Sequence, residues 1–166
     1  KTCYGFEADP ELYQLLKKRF KKYKGVHIIN AAVSDKDGEV CFNVSSNQGL
    51  SSSIGTFNKE WAGNKEISMI KTITVPSLNL YNFLKKKEII TIDNYISDIQ
   101  GYDLNVLKTL KPFIDGKRIK KITSEVAKNK NIYDNSPDKS ISGFNELLNE
   151  NNEMGSKGEG ILKEGE

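Results

Sequence analysis

At 166 residues, 37% of them hydrophobic, the chain forms one domain (1–166) with a single core. The net charge of +3 is carried almost wholly by lysine, with Arg19 and Arg118 as the only arginines. The bidentate and stacking contacts of a nucleic-acid reader are therefore not on offer, and no nucleic-acid partner is expected. No apolar run approaches the ~20 residues that cross a bilayer, and the first residues lack the pattern of an export leader. Cys3 and Cys41 form no CxxC pair or Cys/His cluster, which argues against zinc and a disulfide framework. A cytoplasmic protein without a membrane partner is expected.

The first element is a strand over residues 2–6, followed by Glu7, Asp9 and Pro10. Asp at an N-cap with Pro at the first helical position starts a helix. Leu12, Leu15, Leu16 and Phe20 share its apolar face, and Gly25 suits C′. Val26–Val33 reads as a buried strand, and Asp35-Lys-Asp-Gly38 turns it into Glu39–Val44 as an antiparallel hairpin. Ser45–Lys65 is a long polar loop, a length that usually serves function or mobility. Ile67–Val75 alternates as a half-buried strand should, Ser77 caps the next helix, and an apolar run follows from Ile89 to Ile96. The helix after Asp103 buries Leu104, Leu107 and Leu110, and Pro112 bends or ends it. Arg118–Val126 is a strand, Asn129–Ser142 a polar loop, Phe144–Leu148 a short helix and Lys157–Lys163 a last strand. Strands alternating with helices give an α/β domain, its sheet mostly parallel with helices on both faces.

Carboxylates stand where open α/β sheets hold ligands, after the carboxyl ends of strands. Glu7 can accept hydrogen bonds from both hydroxyls of a ribose, or act as a second acid beside Asp9 at the helix start. Ala8 would flank that ligand. Asn30, Ala31 and Ala32 end the second strand, where small side chains either admit an adenine ring or pack under a helix. Asp35 and Asp37 are turn formers by their local hydrogen bonding. Asp98 follows a hydrophobic strand, and partial burial there would lift its carboxyl toward general-base range; its other reading is a helix cap. Gln100, Tyr102 and Asp103 follow the bend and can touch substrate. Glu125 ends the next strand near Asp98 and can share a proton with it; no metal site is assigned. His27 is a mid-strand residue and no base. Ser51, Ser52 and Ser53 either line an acceptor pocket or keep their loop solvated, and Trp61 either stacks on a sugar or anchors the loop.

Five stretches in order, Tyr4–Leu12, Asn30–Val40, Ser51–Ser53, Asp98–Lys108 and Ser124–Val126, resemble the FkbM family of methyltransferases. The resemblance implies a Rossmann-like class I sheet of seven strands with the last antiparallel. It also implies S-adenosylmethionine as cofactor, held by the residue at Glu7, and methyl transfer to an oxygen of a small-molecule or glycan acceptor. The family's first strand and glycine-rich loop have no counterpart before Thr2. An N-terminally incomplete domain is therefore expected, its missing strand falling between those that end at Phe6 and Ile96, with little or no activity alone. The competing reading is a non-catalytic α/β binding or assembly module; a nucleotide-binding oxidoreductase lacks residues for hydride transfer. Acceptor and oligomeric state stay open.

Overall fold

A computed structural model describes residues 1–58, 67–127, 133–134, 141–149 and 160–165. The chain opens with β1 (Cys3–Glu7) and α1 (Pro10–Phe20), then β2 (Val26–Asn30), β3 (Ala32–Ser34), β4 (Gly38–Ser45) and β5 (Thr56–Phe57). There follow β6 (Met69–Asn79), α2 (Leu80–Lys86), β7 (Tyr95–Ser97), α3 (Asp103–Thr109) and α4 (Lys111–Asp115). The last elements are β8 (Ile122–Ala127), β9 (Tyr133–Asp134), α5 (Ile141–Asn149) and β10 (Gly160–Gly165). Trp61 and most of the polar stretch 129–142 lie outside the described residues.

Local chemistry explains the helix starts. The Asp9 carboxylate accepts from the amides of Glu11 (2.7 Å) and Leu12 (3.3 Å), two donors that the first turn leaves unpaired. Pro10 follows at N1, and Lys17, Lys18 and Arg19 sit at the negative end of the dipole. At α2 the cap is Asn79, which accepts from the amide of Asn82. Ser77, expected in that role, instead belongs to β6, and its hydroxyl meets that of Ser34 at 2.7 Å.

Strands pair in four small sheets: β1-β2, β3-β6-β4, β7-β8-β10 and β5-β9. The pairs β1·β2, β3·β6, β7·β8 and β8·β10 are parallel; β4·β6 and β5·β9 are antiparallel. Among the described residues no strand pairs with the second edge of β1 or of β7. The helices nevertheless bridge the pieces. Phe83 of α2 packs edge-on to both Tyr4 and Phe6 of β1 (5.3 and 5.2 Å). Phe6 thereby joins the main core of Tyr95, Leu104, Leu107, Leu110, Val126 and Phe144.

Several expectations are corrected. The hairpin of residues 26–33 with 39–44 does not form, because β6 lies between β3 and β4 and pairs with both. Ser77 faces Ala32 on one side and Gly38 on the other, and the 11-residue β6 satisfies both edges at once. The strand expected over Val26–Val33 breaks at Ala31, whose amide turns to the carbonyl of Glu7 (3.1 Å). In the run from Ile89 only Tyr95–Ser97 is strand; before it a single bridge joins Ile92 to Ile119. Gly25 does not end α1, which stops at Phe20; its carbonyl accepts from the amide of Cys3 (2.8 Å). Leu15 is 64% exposed, since β1 and β2 present too narrow a surface to cover the whole stripe of α1. Finally, β10 runs parallel to β8, as a crossover carrying a helix allows, so the last described strand is not antiparallel.

Candidate active site

β7 ends at Ser97, opposite Ser124 of its parallel neighbour β8, which runs on through Glu125 to Ala127. The backbone after β7 then turns sharply. Gln100 and Gly101 both take positive φ (54° and 100°), a conformation open to Gly and strained for Gln. The bend sends Asp98 outward and folds Asp103 back beneath it. Asp103 is buried and accepts from Ser97 Oγ at 2.5 Å and from the Ile99 amide at 3.3 Å to each oxygen. Ser97 Oγ in turn lies 3.0 Å from Ser124 Oγ. A buried carboxylate thus pins the turn from inside, and the helix cap expected of Asp98 does not form, since no side chain caps α3.

Asp98 is exposed, so the desolvation expected for it falls elsewhere. Burial, opposed by the bonds from Ser97 and Ile99, pushes the Asp103 carboxyl up to about 6. Glu125 is pushed up to about 8, first by burial, then by its hydrogen bond to Asp98 and by the charges of Asp98 and Asp103. Asp98 and Glu125 are brought together as expected, and Gln100 joins them. Its Nε2 donates to Asp98 Oδ1 (2.6 Å) and to Glu125 Oε2 (3.2 Å). The single proton of Tyr133 Oη is shared between Gln100 Oε1 (2.8 Å) and the carbonyl of Ser51 (3.1 Å). Burial and the charges of Glu125 and Asp98 push that phenol up as well, so it stays a donor. Tyr133 escaped the sequence reading, where it stood inside a polar loop; an aromatic among Asn, Asp and Lys was the only signal.

The serine loop reaches the same place. Ser53 is buried and donates to the carbonyl of Gln100 at 2.7 Å. Ser52 Oγ accepts from the amide of Ser45 (3.1 Å). Both hydroxyls are therefore held by the protein itself. Tyr102, half-buried at the N-cap of α3, has its phenol raised by burial and by the charge of Asp35.

A second cluster sits at the ends of β1 and β2. Glu7 Oε1 accepts from the amide of Asp9 (2.8 Å), and burial is the largest influence raising its carboxyl. Asn30 spends its amide on the carbonyls of Glu7 (2.8 Å) and Ala8 (3.2 Å), which fixes these two strand ends against each other. Ala8, Ala31 and Ala32 are buried, and Ala8 and Ala32 pack with Phe42, Val44 and Val75. Asp37 accepts from the Asn79 amide (2.9 Å) and Asn82 Nδ2 (2.7 Å), so it braces the start of α2, a turn role extended to a distant helix. A groove of about 480 Å³ lined by Tyr4, Phe20, His27, Lys17, Lys21 and Lys87 includes none of these acids. Among the described residues no three His, Cys, Asp or Glu side chains group as a metal site, and no helix is long and apolar enough to cross a membrane.

The buried charge of Asp103 carries a pH prediction. Its folded pKa of about 6 exceeds the ordinary 3.8. Between these values the unfolded chain ionises first, so stability falls as pH rises from 4 to 6 and is flat above. The loss through this group is on the order of 3 kcal/mol. Asp103→Asn keeps an acceptor oxygen and removes the charge. Urea midpoints of variant and parent should coincide near pH 4 and separate by pH 7 with the variant more stable; coincidence at both pH values refutes the buried charge.

Neither the curated proteins nor the solved structures give a match to this chain. The family model described as "Methyltransferase FkbM domain" matches residues 1–156, a span that contains every acid described above. The chain belongs to the FkbM methyltransferase family.

Proposed function

We propose that the protein transfers a methyl group from S-adenosylmethionine to an oxygen of a small-molecule or glycan acceptor. The observation that carries this reading is the pairing of Asp98, just past the end of β7, with Glu125 of the adjacent parallel β8, one exposed and one lifted to about 8. Such a pair holds one proton near neutral pH and can take another group's proton once it is released. Methyl transfer to a hydroxyl asks for alignment and for that proton to leave.

The residues present suit the cofactor. A half-buried carboxylate at Glu7 uses one oxygen on the Asp9 amide, and a carboxylate has acceptor capacity to spare for a ribose diol. Asn30 holds the backbone of Glu7 and Ala8 in place for it, and Ala31 and Ala32 leave the neighbouring strand end without bulk. When bound, S-adenosylmethionine supplies an electrophilic methyl on a sulfonium. The chain's own part is to accept the acceptor's proton on the Asp98–Glu125 pair and to flank the acceptor with Tyr102 and Gln100, since Ser52 and Ser53 spend their hydroxyls on the protein. A Rossmann-like class I arrangement is the natural frame for these strand ends, and two exposed thiols, Cys3 and Cys41, favour a reducing, cytoplasmic setting.

Titration calorimetry tests the reading. S-adenosylmethionine should bind, and Glu7→Ala should weaken it roughly tenfold or more, the worth of hydrogen bonds to a charged group. Binding unaltered by Glu7→Ala removes Glu7 from the site. No binding at all favours the non-catalytic α/β module, a reading supported by edges of β1 and β7 that no described strand pairs.

A further inference from the structure

We infer that Gln100 is the positioning residue of this site, its amide holding Asp98 and Glu125 together as one proton-accepting unit. The inference rests on the reading of those two acids given above. Gln100 is engaged at both ends of its side chain and at its backbone. Tyr133 shares its one proton with Oε1 at 2.8 Å, and the two carboxyls on the other side call for a donor, which sets the amide with its oxygen toward the phenol. Nε2 is left to face the acids, with one hydrogen toward Asp98 Oδ1 (2.6 Å) and the other toward Glu125 Oε2 (3.2 Å). Ser53 grips the Gln100 carbonyl at 2.7 Å. The residue also holds φ at 54°, a cost that surrounding contacts must sustain.

The arrangement has a chemical consequence. Two carboxyls bonded to each other can hold one proton between them, and each still offers an oxygen to a donor. An amide is the side chain that can serve both oxygens without adding charge of its own. A lysine would neutralise the pair, and a carboxylate would compete for its proton. Besides its burial, the charged groups acting on Glu125 are Asp98 from the turn after β7 and Asp103 from the start of α3. Against this acidic surround, the amide is the donor that favours the ionised form. Without it the pair should hold its proton more tightly.

The test is a carbon-13 NMR titration of carboxyl-labelled protein, read without substrate. One carboxyl of the parent should titrate near pH 8. In Gln100→Met, which keeps length and drops both donors, that transition should rise by about one pH unit. Tyr133→Phe keeps the ring against Phe57 but lets the amide turn, and should move the transition the same way by less. If Gln100→Met does not fold, Tyr133→Phe decides alone. A transition unmoved in the folded variants overturns the inference. Where methyl transfer can be followed, kcat of Gln100→Met should fall at pH 7 and recover at higher pH, with KM for the methyl donor unchanged. A uniform fall at all pH values means a merely structural residue and also overturns it. Absent methyl transfer in the parent, with the NMR shift present, supports the inference and counts against the enzyme reading instead.

Discussion

Asp98→Asn should lower methyl transfer roughly 10²- to 10⁴-fold, the usual worth of a positioned general base, while binding of the methyl donor is retained. The pH profile gives the sharper readout. In the parent the pair acts as a base only after its proton has left, so the rate should rise as pH passes through about 8 and level off above. Burial holds the Glu125 carboxyl up most, and replacing Asp98 removes the next two influences, its hydrogen bond and its like charge. Glu125 then ionises at lower pH, and what rate remains should reach its plateau earlier. Initial rates across pH 5–10 check both statements. A variant as fast as the parent, with an unmoved limb, would mean that the acceptor loses its proton elsewhere.

Leu107→Ala should unfold more of the protein than any surface change. Leu107 is 0% exposed, and its cluster includes Leu104, Leu110, Val126 and Phe144. Truncation removes buried methyl groups and leaves a cavity, a change worth about 2–5 kcal/mol. Against a typical total of ~5–15 kcal/mol, that lowers the melting temperature by about 10 °C in a domain of this size. Leu15→Ala is the matched control: the same chemistry on α1 at 64% exposure should stay within about 0.5 kcal/mol. Thermal melts followed by circular dichroism compare the two. Equal losses would place the core elsewhere.

What the sequence revealed was whatever local chemistry decides. Asp9 before Pro10 announced the start of α1, and Leu104, Leu107 and Leu110 announced the buried face of α3. Asp98 and Glu125 were legible as neighbours because two apolar runs, parallel by connectivity, each lead to an acid, although β8 continues past Glu125 to Ala127. What stayed hidden depends on partners remote in the chain. A tight turn at Asp35–Gly38 signals a hairpin, but nothing local says that β6 will enter between its arms. Depth was equally invisible. Asp98 and Asp103 flank the same glycine, and only the positive φ at Gln100 and Gly101 decides which one goes under. Tyr133 reaches Gln100 across 33 positions, a pairing that no periodicity announces.

The flanks of β1 and β7, bare among the described residues, have a practical meaning. Amide and carbonyl groups lining a strand's free side invite any extended peptide to complete the ladder, whether a cognate segment or a stray neighbour. Ile96, 76% exposed on β7, adds a greasy handle beside one of those flanks. Concentrated solutions of this protein should therefore clump more readily than its abundant surface lysines would suggest.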